Sequence, residues 1–298
     1  MSYSANYSGA TAKNLNSNLN VVRKKKNITA GKIVLYVFLI LLAVICFLPF
    51  YIMLINSTHS NADLAQKLNI LPGGEFLKNY NRMIQLVHIW GGFKNSIIIS
   101  VFATVLSGYF GALTAFGFAK YKFKGKEFLF GIVLASLIIP PQIALVGFYD
   151  ICTKLKLMDN LLALILPAIA SATVVFFVRY YIQSAVSDSI MESARMDGCG
   201  EFKIFNRIIL PMIIPSIATM SIFTFITSWN SYLLPLLILS TDSKYTVPLW
   251  TALSKGTYQN DYGAVYVCIA ISIIPVMVVF AFCSKYIIGG LTAGAVKE

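Results

Sequence analysis

Six stretches of this chain contain no Asp, Glu, Lys or Arg over a length sufficient to cross a membrane. They lie between Lys32 and Asp63, Lys94 and Lys120, Glu127 and Asp150, Asp159 and Arg179, Arg207 and Asp242, and Asp261 and Lys285. A helix needs about 20 apolar residues to span the hydrocarbon, and an unpaired charge within it is costly. Each stretch is a continuous apolar run, without the alternation of a lipid-facing barrel strand. Helices satisfy their own backbone in lipid. The expected fold is therefore all-α, a polytopic membrane protein with six transmembrane helices. Composition agrees, with 57% hydrophobic and 12% charged residues, against about 25% charged in an ordinary globular domain. The first stretch comes after a polar leader and is too long for a signal-peptide apolar region, so it is expected to remain as a span.

Basic residues set the expected orientation. With both termini inside, sixteen of the 24 Lys and Arg fall in segments 1–32, 120–127, 179–207 and 285–298, and eight fall outside. Both termini are therefore expected to be cytoplasmic. The net charge of +12 then serves mostly as lipid-side anchoring. The cluster Arg23, Lys24, Lys25, Lys26 beside a span calls for membrane lipid and no nucleic acid. Residues 1–31 lack apolar periodicity and are expected to form a flexible cytoplasmic leader, followed by one transmembrane domain, 32–298. Cys46, Cys152, Cys199, Cys268 and Cys283 are scattered and lack metal-ligand spacing, so free thiols and no metal site are expected. His59 and His88 have no recognisable partner for catalysis.

Breakers and small residues give the next level. Span one is expected over about Ile33 to Leu54, with a turn at Leu71-Pro72-Gly73-Gly74 beyond it. Span two begins near Asn95-Ser96 and carries Gly111, Ala115 and Ala119, a spacing that permits close helix approach. Pro140-Pro141 removes two backbone donors from span three and predicts a bend or break there. Such a break either faces the bundle interior or is a packing kink. Span four is expected near Leu161 to Gln183, span five from about Ile213 to Leu239, and span six from about Ala264 to Ile287.

The segment 185–212 between spans four and five carries the most specific pattern. Ser189 followed by Glu192 reads as a capping box that starts a helix. Gly198 ends it in a left-handed conformation, with Arg195 favourable in the last turn. A second short helix is expected over Glu201 to Ile208, with Phe202, Phe205 and Ile209 on one side, until Pro211 breaks into span five.

This segment resembles the EAA loop of ABC importer permeases, whose pattern is E-A-A, three residues, G, nine residues, I, one residue, L-P. Glu192, Ser193, Ala194, Gly198, Ile208, Leu210 and Pro211 occupy those positions, and Asp197 before the glycine also matches. Ser193 replaces the first alanine, small for small. Trp229-Asn230-Ser231-Tyr232-Leu233-Leu234-Pro235-Leu236 resembles the fifth-helix pattern of the carbohydrate-uptake branch. The tail Gly290-Leu291-Thr292-Ala293-Gly294-Ala295-Val296-Lys297 resembles the ending of its maltose-type second permease.

The resemblance implies a subunit of a heterocomplex in the bacterial cell membrane, importing a sugar or oligosaccharide. Its expected partners are a second, non-identical permease, two ATPase subunits and an extracytoplasmic sugar-binding protein. Residues 192–194, 197–198, 208 and 210–211 would then couple to the ATPase. ATP and Mg would be held by the ATPase partners, with no cofactor and no enzyme activity on this chain. The sequence agrees in lacking G-x-x-x-x-G-K-[ST], which Gly125-Lys126-Glu127 does not complete.

Thr224, Thr227, Ser228 and Ser231 recur at i, i+3, i+4 and i+7 along one face of span five, beside Phe225, Trp229 and Tyr232. Hydroxyls and flat apolar rings are the two surfaces a sugar needs. The candidate substrate-pathway residues are Thr227, Ser228, Trp229, Asn230 and Tyr232, with Asn230 the leading single contact. The same pattern also serves helix packing. A membrane enzyme or a secondary transporter would place titratable groups within the spans, where the charge-free stretches leave none. An exporter fused to its ATPase would carry Walker sequences after span six.

Overall fold

The structure, a computed structural model, describes residues 30–257 and 261–295, with side chains over 31–254 and 261–282. The expected leader lies outside the described residues but for its last two positions, and so do the side chains of Cys283 and of the 290–297 tail. The chain divides into two units, Met1–Tyr51 and Ile52–Glu298. Most of helix α1 (Ala30–Asn56) belongs to the first. Its span has a mean hydropathy of 3.0 and no buried residue in its most apolar window. A helix apolar on every side needs lipid or another chain around it.

The second unit is also helical, with no strand among the described residues. Short helices α2 (Asn61–Gln66) and α3 (Phe76–Leu86) lead into α4 (Ile89–Lys120), the axis of the unit. Next come α5 (Lys126–Ile138), α6 (Ala144–Lys154), α7 (Leu162–Ile165) and α8 (Ala172–Ala185). The 185–212 segment holds α9 (Asp188–Met196), α10 (Glu201–Ile204), a π-turn over Phe205–Ile209 and α11 (Leu210–Met212). Helices α12 (Ile214–Trp229), α13 (Leu233–Ile238), α14 (Val247–Thr257) and α15 (Tyr262–Ala295) complete it. Among the described residues, four helices are long and apolar enough to cross a membrane, or up to six if each of two bent pairs counts as one span.

Helix α4 packs most extensively on α8 and α12. The reason lies in its small residues. A Cβ at Gly111 would sit 2.6 Å from Val174 Cγ1, and one at Gly108 would sit 3.2 Å from Ile217 Cγ2. Ala112 and Ala115 are fully buried beside them. The approach expected at Gly111 and Ala115 is thus made, and dispersion over this seam holds the unit together where lipid supplies no hydrophobic drive.

Prolines explain the departures from six straight spans. At Pro140-Pro141 the helix turns by 92°, which is a break and no mere kink. Span four is interrupted by a 3-10 segment, Leu166–Ala170, that contains Pro167. Ser171 then caps α8, its hydroxyl accepting from the Val174 N–H at 3.5 Å. Span five, expected as one helix to Leu239, instead unwinds after Trp229 and restarts at Leu233. Pro235 has no N–H to donate to the Ser231 carbonyl, so an unbroken ladder through 231 is lost. A 77° bend separates Glu201–Met212 from Ile214–Trp229, placed at Ile213 rather than at Pro211.

Candidate functional site

Two features are strung along α4: a loop assembly at its C-terminal end and a cavity along its flank. In the loop, α9 starts two residues earlier than the capping box implied, because Ser187 is the N-cap and Asp188 opens the helix. Neither Ser189 nor Ser187 caps through its side chain; the two hydroxyls bond each other at 2.9 Å. Asp188 instead accepts from Lys120 Nζ at 2.6 Å, and this contact holds its carboxyl below the usual carboxylate range.

The other end of α9 matches expectation. Gly198 has φ +76°. The Cys199 N–H reaches the Ala194 carbonyl at 3.0 Å and the Gly198 N–H reaches that of Arg195 at 2.9 Å. That pair of bonds is a Schellman cap, which needs the left-handed residue glycine adopts without strain. Glu192, Ser193, Asp197 and Gly198 are exposed, whereas Ala194 is buried. Ile208 and Leu210 lie partly buried against the same core, with Pro211 exposed beside them.

That core joins Ala194, Ile204, Phe205, Ile209 and Ile213 to Ala115 and Phe116 of α4 and Val178 and Ile182 of α8. Phe202 does not share the face of Phe205 and Ile209. It is 68% exposed, and Met196 at the tip of α9 is 88% exposed. Two large apolar side chains thus stand clear of the chain beside the exposed acids, a surface suited to a protein partner.

The cavity has a volume of about 510 Å³. Ser96, Ile99, Ala103 and Ser107 of α4 form one wall, Pro141 and the Pro167–Ser171 turn another, and Thr224, Thr227, Ser228 and Ser231 a third. Pro141 places the broken span at the cavity and not at a packing kink. Ser107 Oγ and Thr246 Oγ1 face this region buried and without a hydrogen-bond partner. A buried hydroxyl left unsatisfied costs about 1–3 kcal/mol, so both are weak points of the packing beside the cavity.

Not all the span-five candidates reach the cavity. Thr227 and Ser228 line it; Trp229, Asn230 and Tyr232 are not among its lining residues. Trp229 is 2% exposed, donates Nε1 to the Ser272 carbonyl at 3.1 Å and stacks on Phe225 at 6.0 Å. Asn230 ends α12, exposed. The aromatic ring in the lining is Phe223.

The family of binding-protein-dependent transport system inner membrane components matches residues 107–289, which takes in the loop and most of the cavity wall. The chain belongs to this family. The arabinooligosaccharides transport system permease protein AraQ of Bacillus subtilis is 32% identical to it, over 93% of this chain and 100% of that protein. The multiple sugar-binding transport system permease protein MsmG of Streptococcus mutans is 30% identical, over 88% of this chain and 96% of that one. A chain from the crystal structure of a bacterial ABC transporter involved in import of the acidic polysaccharide alginate superposes with a TM-score of 0.74. It is 25% identical, over 88% of this chain and 98% of that chain.

The protein is thus a membrane-spanning permease component of an ABC importer, which works with a binding protein and an ATPase. The α4 hydroxyls were missed from the sequence although Ser96, Ile99, Ala103 and Ser107 occupy i, i+3, i+7 and i+11, a helical face that could have been found.

Proposed function

We propose that this permease forms, with a second, non-identical permease subunit, the path of an uncharged sugar or oligosaccharide across the bacterial cell membrane. The cavity carries the reading. Nine of its lining residues bear hydroxyls and none is ionisable. Hydroxyl groups match a polyol by exchanging hydrogen bonds in both directions, while Phe223, Ile99 and Met220 offer apolar surface to ring faces. A uronate polymer would leave its charges unpaired in such a lining, at a high desolvation cost. The names of the relatives, one for arabinooligosaccharides and one for multiple sugars, support a carbohydrate.

Both termini lie in the cytoplasm, and loop 185–212 meets one of two ATPase subunits, which hold ATP and Mg. Glu192, Ser193, Ala194, Asp197, Gly198, Ile208, Leu210 and Pro211 shape that contact, with Met196 and Phe202 as its apolar points. An extracytoplasmic binding protein delivers the sugar. The test is to purify the chain with its partner subunits and to measure ATP hydrolysis against a panel of saccharides. Neutral oligosaccharides are expected to stimulate it and alginate-type uronates to leave it unchanged. Stimulation by uronates alone, or by no saccharide, would overturn the assignment.

A further inference from the structure

The end of α4 grips the 185–212 loop at both ends of α9. Lys120, its last residue, donates Nζ to the Val186 carbonyl at 2.6 Å and to Asp188 Oδ1 at 2.6 Å, immediately before and at the start of α9. The Lys120 side chain is 7% exposed although Asp188 is open to solvent, so the ammonium is enclosed and directed at one place. Tyr121, the next residue, donates its hydroxyl to the Glu201 carboxylate. Arg195, in the last turn of α9, donates to the same carboxylate at 2.7 and 3.3 Å. Charge-assisted and forked bonds of this kind fix orientation as well as distance.

The grip continues along α4. Tyr109 donates its hydroxyl to Asn206 Oδ1 at 3.1 Å, and the Phe205 ring lies 5.9 Å from Tyr109 and 5.5 Å from Phe116. Ser107, two residues before Tyr109, is part of the cavity wall. One unbroken helix therefore carries both the wall that meets substrate and the anchors that orient the loop. From Ser107 to Lys120 the rise is about 20 Å at 1.5 Å per residue. Helix α4 has no proline and runs unbroken from Ile89 to Lys120, which gives a displacement of the wall a continuous path to the loop.

We infer that Lys120 and Tyr121 are positioning residues for energy coupling: they clamp the start and the end of α9 to α4, so that α4 transmits the state of the cavity to the ATPase. The inference rests on the reading of 185–212 as the ATPase contact. It assigns a task to the connection between α4 and α5, which otherwise reads as a basic turn anchored to lipid.

The test uses the complete importer in liposomes with three variants. Lys120→Met keeps the apolar stem and removes the donor. Tyr121→Phe removes one hydroxyl only, and Lys120→Arg restores a cation. Co-purification of the ATPase reports assembly, and the ratio of substrate-stimulated to basal ATP hydrolysis reports coupling. With assembly unchanged, Lys120→Met and Tyr121→Phe are expected to lower that ratio by about tenfold and about threefold, the scale of losing a charge-assisted bond and a lesser one. Lys120→Arg is expected to retain most of it.

An unchanged ratio in both Lys120→Met and Tyr121→Phe would overturn the inference. Should Lys120→Met fail to assemble, Tyr121→Phe decides alone, a lowered ratio upholding the clamp and a normal one refuting it. Gly198→Val separates the two levels. Normal coupling in Gly198→Val removes the loop reading itself. Uncoupling there with normal coupling in both clamp variants removes only the clamp.

Discussion

The loop 185–212 and the cavity share α4 yet are built by opposite means. The loop is defined by backbone demands and paired charges: a left-handed glycine, a Schellman cap, and the Lys120–Asp188 and Arg195–Glu201 ion pairs. The cavity is defined by groups left unpaired, notably Ser107 and Thr246 hydroxyls, and by helices that break at prolines around it. The contrast teaches that a surface presented to a protein can be fixed within a short segment. A cavity must be gathered from several helices.

The largest expected effect would come from the residue on the wrong side of that contrast. Trp229 is packing, so Trp229→Ala should empty a large buried volume at a cost of about 3–5 kcal/mol. Reduced thermal stability of the purified complex checks this. A stable complex with altered sugar preference would instead return Trp229 to the substrate path.

Next in size is the cavity wall. Thr227→Val and Ser228→Ala remove hydroxyls with little change of shape, and should shift relative uptake of different saccharides by several-fold while stability stays within about 0.5 kcal/mol. Identical uptake of every saccharide by both variants would show that this face serves only packing.

The smallest effect concerns neither region but the joint between the α6–α7 and α13–α14 connections. Asp159 accepts from Lys244 Nζ at 2.8 Å, Thr241 Oγ1 at 2.7 Å and the Ser240 and Thr241 N–H groups. The Lys244 bond, and after it the others, holds its carboxyl well below the ordinary value of 3.8. A depressed folded value means the contribution is complete above the unfolded value and is lost as pH falls below it. Amide protection at 240–244, corrected for the intrinsic pH dependence of exchange, should therefore be unchanged between about pH 5 and 8 and fall below about pH 4, for a partly exposed pair contributing at most about 1 kcal/mol. Asp159→Asn should show faster exchange already at neutral pH; identical exchange would refute the joint.

Much of this was legible because membranes impose strict rules on sequence. Charge-free stretches gave the spans, Pro140-Pro141 the break, and Gly198 the turn, since each depends on one or two residues acting on their own backbone. The interruption after Trp229 was not seen, because Pro235 acts four residues upstream of itself and the run around it stays apolar. Asn230 and Trp229 looked like contacts by residue type alone. The placement of Trp229 depends on Ser272 and Phe93, which come from other helices. Lys120 and Tyr121 read as the edge of a basic turn, and nothing local announces that their partners lie 66 to 80 residues away.

The central claim is that a permease cavity and a partner-facing loop act as one device, and Gly198 tests it most directly. A Cβ at Gly198 meets no atom within 4 Å, so Gly198→Val acts chiefly through the left-handed backbone it must adopt. The left-handed conformation then costs about 1–2 kcal/mol, small enough for the protein to remain inserted. The measurement is saccharide-stimulated ATP hydrolysis and uptake by the reconstituted importer carrying Gly198→Val. The account predicts normal insertion, uptake reduced at least about tenfold, and either loss of the ATPase subunit or hydrolysis that no longer depends on saccharide. Normal uptake with normal saccharide-dependent hydrolysis would contradict it.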